Sequence, residues 1–173
     1  MADIKVIIPA IDEGDSIAQV IAEIPNSASE VIVVDNGSKD DTAKKAKRSG
    51  ATVLAESRKG YGFACLKGME YVDQQSKKPD IIVFMDGDYS DYPEELDKIV
   101  APILEKNIDF VVGARKKALR EPGSMTPQQV FGNQLATFLM RLFFMAIFTD
   151  LGPFSDIKYE KLKALDMQDK TYG

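Results

Sequence analysis

Histidine does not occur among the 173 residues. Its absence removes Ser-His and Cys-His nucleophile systems, imidazole general bases and histidine-bound zinc together. A single cysteine, Cys65, excludes an intramolecular disulfide and a thiolate metal cage, and favours a reducing compartment. Positive charge is in deficit too: the net charge is -5, which gives no electrostatic reason to expect a nucleic-acid partner. The N-terminus, "MADIKVIIPA", places acid and base before a short apolar run and lacks the build of a signal peptide, so a cytoplasmic location is the default expectation. Acid-base or metal chemistry therefore falls to carboxylates, whose oxygens suit magnesium or manganese.

What is present has the make-up of a soluble globular chain, with 45% hydrophobic and 28% charged residues, at a length that suits one domain. Apolar runs of four to seven residues recur between segments of helical spacing, which is the pattern of a parallel α/β sheet. Strands are expected at "IKVIIP" (4–9), "EVIVVD" (30–35), "TVLAE" (52–56), "IIVFMD" (81–86) and "DFVVGA" (109–114). Their lack of polar alternation implies burial on both faces. Helices are expected at about 15–24, 40–49, 61–76 and 93–106, the last opening on Pro93 with Glu94 and Glu95 beside the positive helix end. In such sheets a ligand sits beyond the carboxyl ends of the strands. The polar residues that follow the runs should converge there, giving one rim with Glu13, Asp35, Asp86 and Asp88.

After residue 114 the character changes. "RKKALREPG" sets Arg115, Lys116, Lys117 and Arg120 against one acid, Glu121. A helix candidate follows from near Thr126, with Pro127 in its first turn. Its apolar part, Leu135 to Phe148, is interrupted by Arg141 and falls short of the roughly 20 residues that span a bilayer. Two readings stay open: a core helix, or a helix lying in a membrane interface with Arg141 reaching toward headgroups.

"FMDGDYSDYPEEL" carries the sharpest chemistry. Asp86 and Asp88 at the end of a buried strand can share one divalent ion, and Gly87 between them lets a ligand approach the main chain. The plainer alternative is a capped turn, with Asp88, Ser90 or Asp91 at the N-cap of the helix that begins at Pro93. One residue suffices for a cap and three aspartates exceed it, so Asp91 is assigned to capping and Asp86 and Asp88 to a metal. In "VVDNGSKDDTAKKA" an Asx-type turn with a capped helix accounts for Asn36, Gly37 and Ser38, whereas Asp35 needs another reason. Asp35 or Asn36 can bond a base or ribose edge. The lone G-x-G of "RKGYGFACLKG" is a weak nucleotide signal.

Together these segments resemble the family 2 glycosyltransferases, and within them the branch of dolichyl-phosphate mannose synthase and its bacterial polyprenyl-phosphate relatives. "VIIPAIDEGDSI" is similar to the family's opening strand and P-A-x-N-E turn, and "VIVVDNGSKDDT" to V-D-D-G-S-x-D-x-T. "FMDGDYSDYPEEL" is similar to D-A-D-x-x-x-P-E-x-L, "VVGAR" to V-x-G-S-R, and "GPFSDI" to G-x-F-R-A-x. The resemblance implies an α/β GT-A fold, a Rossmann-like sandwich with a mostly parallel central sheet. It implies one catalytic domain over 1–173, with 1–114 binding the nucleotide sugar and 115–173 supplying an acceptor-side loop and helix.

By the same resemblance Pro9, Ala10, Glu13, Asp35 and Asn36 would hold the nucleoside. Asp86, Gly87 and Asp88 would hold the diphosphate through Mg2+ or Mn2+, with Ser90 near the ion, and Arg115 would lie near the sugar and the acceptor phosphate. The implied reaction is inverting transfer from a GDP- or UDP-sugar to a polyprenyl or dolichyl phosphate, on the cytoplasmic face of a membrane. The catalytic residues expected are Asp88, Arg115 and Asp150, the last as base if the acceptor is a hydroxyl. A lipid phosphate needs no such base, being already charged at neutral pH. Asp12 stands where the pattern has Asn, Asn36 where a second Asp is common, and Ser155 with Asp156 where it has Arg-Ala, a change that weakens the case for a phosphate acceptor. The chain ends at Gly173 where relatives continue, so a truncated catalytic part is expected. A sugar-1-phosphate nucleotidyltransferase is the rival enzyme, but "PAIDEGDS" lacks its Gly-rich loop. A non-catalytic sugar-nucleotide-binding module is the rival of another class.

Overall fold

The computed structural model describes residues 2–113, 132 and 154–167. Arg115, Asp150, the basic loop and the helix expected from Thr126 lie outside the described residues. Two compact units divide the chain: Met1–Val111 with Phe154–Gly173, and Val112–Pro153. Nearly all described residues belong to the first.

That unit is built on a six-stranded sheet. Its strands are β1 (Ile4–Ala10), β2 (Ala28–Asp35), β3 (Thr52–Ala55), β4 (Ile81–Phe84), β5 (Phe110–Val112) and β6 (Ser155–Lys158), in the order β3-β2-β1-β4-β6-β5. β1 pairs in parallel with β2 and β4, β2 pairs in parallel with β3, and β6 runs antiparallel to β4. All seven residues of β1 are buried, as a central strand covered on both faces requires. The five expected strands are present; β6 is an addition, and it carries 154–167 back from the expected acceptor-side segment into the sheet.

Helices α1 (Ile17–Glu23), α2 (Thr42–Arg48) and α4 (Leu96–Lys106) cover one face, where Val6, Ile8, Val33, Val83 and Met85 meet Ile17, Val20, Ala46, Leu96 and Val100. Helices α3 (Tyr61–Gln74) and α5 (Tyr159–Ala164) cover the other, where Ile7, Ile32, Val34 and Ile82 meet Ala64, Met69, Val72 and Leu162. Alternate residues of each strand feed opposite layers, the period-2 geometry of a pleated strand. Helix α5 is tied to α3 by Asp73, which accepts hydrogen bonds from the Tyr159 hydroxyl (2.7 Å) and the Lys163 ammonium.

Under α3, at the amino ends of the strands, Lys5 is 7% exposed and donates to Glu30 at 2.7 Å. Thr52 (2.8 Å), Tyr71 (2.8 Å) and Gln75 (3.0 Å) also donate to the Glu30 carboxylate. Burial alone would push this carboxyl up; the Lys5, Gln75, Tyr71 and Thr52 donors outweigh it and hold the group down at about 2. A buried ion pair is tolerable only when its remaining lone pairs are satisfied in this way.

Helix α4 does not begin as expected. Pro93–Glu95 form a single 3-10 turn whose N-cap is Tyr92, and no side chain caps it. Asp91 is buried and accepts a hydrogen bond from the Asp86 N–H at 3.4 Å, so it braces the preceding turn and does not cap the helix. The helix ends at Asn107 in the left-handed conformation, φ 56°, a position asparagine tolerates.

Candidate functional site

β1 and β4 are neighbours at the centre of the sheet, with β2 and β3 to one side and β6 and β5 to the other. The chain reverses its direction of progress between them. The crevice beyond their carboxyl ends is the place where an α/β sheet accommodates a ligand. The loops that reach it are those after β1, β2, β3 and β4.

The loop after β1 is held from the start of α2. Asp12 sits at φ 56°, donates its N–H to Ser38 Oγ (3.0 Å) and accepts the Lys39 N–H at Oδ1 (2.6 Å). Both amide and carboxylate side chains can accept that bond and tolerate that backbone, so Asp12 serves where the family pattern has Asn. Glu13 donates its N–H to Thr42 Oγ1 (2.9 Å), and Gly14 donates to Asp40 Oδ2 (2.9 Å). A Cβ on Gly14 would lie 2.7 Å from that same Asp40 oxygen, so a larger residue there would push the Asp40 carboxylate aside.

The loop after β4 faces it. The last ladder bond runs from Met85 N–H to the Ile7 carbonyl (3.2 Å), and β4 stops at Phe84, so Asp86 and Asp88 stand in a turn and not in the extended strand. Ser16 stitches the two loops, donating to the Gly87 carbonyl at 2.7 Å. Gly87 is buried, and an added Cβ would fill the space among Ile17, Glu13 and Ile8 at 3.4–3.5 Å. Asp88 is exposed and accepts the Ser90 N–H at Oδ1 (2.8 Å), which places exposed Ser90 beside it. Asp86 is half-buried and accepts the Tyr61 hydroxyl at Oδ1 (3.3 Å). Tyr89, between Asp88 and Ser90, sits at φ 65° and donates its hydroxyl to the Glu23 carboxylate at 2.8 and 2.7 Å.

The electrostatics show that these loops share one space. Burial pushes the Glu13 carboxyl above its ordinary value, and the charges of Asp88, Asp86 and Asp40 push it further, against the Ser16 hydrogen bond. Unbalanced negative charge at one point is what a divalent cation relieves. The donor set is all oxygen, which fits Mg2+ or Mn2+. Among the described residues no three acidic or thiol side chains converge tightly enough to hold an ion by themselves.

Of the other expected site residues, Pro9 and Ala10 are buried at the end of β1, where the Ala10 carbonyl accepts the Asn36 N–H (2.9 Å). Asp35 is half-buried and accepts the Ser38 N–H (3.2 Å). The Asn36 side chain is used internally: its amide donates to the carbonyls of Glu56 (3.0 Å) and Arg58 (2.7 Å), and its oxygen accepts the Gly60 N–H (2.8 Å). Both donors are taken, so this amide shapes the loop after β3. The sequence places Asp40 in the turn before α2 and gives no role to Ser16 or Tyr61. Asp40 and Thr42 carry a signal in the D-x-T spacing; Ser16 and Tyr61 carry none.

The sequence model for glycosyl transferase family 2 matches residues 5–164. The chain belongs to that family. This family 2 chain is 31% identical over 160 residues to the UDP-N-acetylglucosamine--dolichyl-phosphate N-acetylglucosaminyltransferase of Methanococcus voltae, covering 80% of this chain and 63% of that one. It is 38% identical over 113 residues to an uncharacterized glycosyltransferase of Mycobacterium tuberculosis, covering 65% and 49%. It spans about half the length of the first of the curated relatives it matches. Its GT-A fold is shared with glucosyl-3-phosphoglycerate synthase of Mycobacterium tuberculosis in complex with Mn2+, UDP-glucose and phosphoglyceric acid. The TM-score is 0.72 at 25% identity, over 92% of this chain and 57% of that one.

Proposed function

We propose that this protein transfers a sugar, with inversion, from a nucleotide-diphosphate sugar to a phosphate-bearing acceptor, the phosphate of a polyprenyl or dolichyl lipid. The observation that carries this reading is the meeting of the Glu13 loop and the Asp86–Asp88 turn beyond β1 and β4, joined by the Ser16 bond to the Gly87 carbonyl, where burial first and then the charges of Asp88 and Asp86 push the Glu13 carboxyl upward. The names of the relatives support it: one acts with UDP-N-acetylglucosamine on dolichyl phosphate, and the other binds UDP-glucose, Mn2+ and a phosphorylated acid. Both names carry a UDP-sugar, so UDP is the nucleotide we favour over GDP.

Asp86 and Asp88 would hold Mg2+ or Mn2+, with Ser90 beside them; when bound, the ion supplies Lewis-acid stabilisation of the charge that develops on the departing diphosphate. The protein's own groups prepare that event. Ser16 fixes the loop after β1 against the loop after β4, and Asp40 and Thr42 fix it against the start of α2, so the backbone that carries Glu13 and Asp88 is held in advance of the reaction. Asp35 and the end of β1 at Pro9 and Ala10 would border the nucleoside, with Asn36 shaping the wall. Arg115 would counter the acceptor phosphate. Asp150 would act as a base for a hydroxyl acceptor only, since a phosphate monoester is already charged at neutral pH. Among the described residues no helix is long and apolar enough to cross a membrane.

The test is to incubate the protein with Mn2+, a panel of UDP- and GDP-sugars, and either polyprenyl phosphate or 3-phosphoglycerate. Sugar should appear on the lipid phosphate from a UDP-sugar. Chelation, or Asp88→Ala, should lower the rate by roughly 100-fold or more. Full turnover by Asp88→Ala would sink the site; product on phosphoglycerate alone would replace the lipid acceptor with a soluble one.

A further inference from the structure

Asn36, just after β2, and Tyr61, the first residue of α3, stand 25 residues apart in the chain. Asn36 is 6% exposed and makes four hydrogen bonds: its backbone N–H to Ala10, its amide to the carbonyls of Glu56 and Arg58, and its oxygen from the Gly60 N–H. Only a side chain that donates twice and accepts once can do this; a carboxylate would face two carbonyl oxygens without a proton to offer. The bond to Gly60 lands on the residue just before α3, at φ 137°, a conformation open to glycine and strained for other residues. The first helical residue is Tyr61, and its hydroxyl donates to Asp86 Oδ1 at 3.3 Å. A continuous set of contacts thus runs from the end of β2, through the loop after β3, to the first aspartate of the D-G-D turn.

We propose that Asn36 and Tyr61 act as one positioning unit for Asp86: Asn36 fixes where α3 begins, and Tyr61 then orients the Asp86 carboxylate for the cation. This rests on the reading of Asp86 and Asp88 as cation ligands given above. Neither residue touches the reacting atoms. Partners that hold a metal ligand in place typically account for a factor of ten or more in metal affinity. A unit that works through one chain of contacts loses its whole effect when either link is cut, so its variants do not combine additively.

The experiment measures Mn2+ affinity of the protein in the presence of UDP, from the electron paramagnetic resonance signal of free Mn2+, and UDP affinity in chelator. The proteins are wild type, Asp88→Ala, Tyr61→Phe, Asn36→Asp and the Asn36→Asp/Tyr61→Phe double variant. Tyr61→Phe should weaken Mn2+ binding roughly 10-fold and leave UDP binding in chelator unchanged, which a merely structural role would not produce. Asn36→Asp should weaken Mn2+ binding similarly and speed hydrogen exchange at the Gly60 amide, and the double variant should be no weaker than the weaker single one. Tyr61→Phe removes a hydroxyl from a partly exposed ring, so it keeps the test decisive whatever Asn36→Asp does to folding. Mn2+ affinity of Tyr61→Phe within about twofold of wild type, or two effects that multiply, would overturn the proposal while Asp88→Ala still abolishes binding. If wild type and Asp88→Ala bind alike, the cation reading itself fails and takes this unit with it.

Discussion

Asp156 lies on β6 opposite Val83, on the face covered by α1 and α4, fully buried and with neither carboxylate oxygen hydrogen-bonded. Burial pushes its carboxyl up to about 8. Below the ordinary value of 3.8 both folded and unfolded chains hold the proton, and the residue adds no pH dependence to stability. As pH rises from 3.8 toward 8 the unfolded chain releases the proton while the folded chain keeps it, so stability falls across that window. Asp156→Ala should therefore raise the unfolding free energy at pH 7, read from urea denaturation, by roughly 2–4 kcal/mol. The proton-linked part of the gain should vanish as pH approaches 4. A gain that is the same at both pH values would show that the carboxyl is not held protonated in the folded chain.

At the level of elements, β1 is the reference against which helices are placed, and α3 comes closest to it. A Cβ on Gly68 would lie 2.7 Å from Ile7 Cγ2, a branched side chain that is itself fully buried and cannot swing away. Gly68→Ala should improve the intrinsic helix propensity of α3 and yet destabilise the protein by roughly 1–3 kcal/mol, because overpacking outweighs propensity. Equilibrium denaturation checks it; a stabilised variant would mean that α3 can shift outward freely. The elements themselves were largely legible. "IKVIIP" and "IIVFMD" have to be continuous apolar runs because both faces of a central strand are covered. β6 was not legible, since "SDIK" is short and carries Asp156 and Lys158, and it becomes a strand only by pairing with β4. In the site, Glu13, Asp86 and Asp88 could be read as a rim because polar residues end successive apolar runs. The tasks of Asn36 and Tyr61 could not, because their bonds span 20 to 25 residues and depend on where α3 begins.

For the molecule as a whole, the site is assembled from four loops that extend from Asp12 to Asp91, so a ligand that bridges them draws on the stability of the entire sheet. A nucleotide bound by the folded chain alone raises stability by mass action. With the Mn2+–UDP complex, taken as one ligand, at 100 times its dissociation constant the gain is about 2.7 kcal/mol. For a chain of this length that corresponds to a rise of roughly 5–10 °C in the melting temperature. Because no three acidic or thiol side chains among the described residues hold an ion alone, Mn2+ without nucleotide should give little of this rise. Nucleotide in chelator should give only a part of it, and the full rise should require both. Asp88→Ala should keep the nucleotide part and lose the cation-dependent remainder. A full shift with Mn2+ alone would place the ion in a preformed protein cage, and a full shift in chelator would separate nucleotide binding from the D-G-D turn altogether.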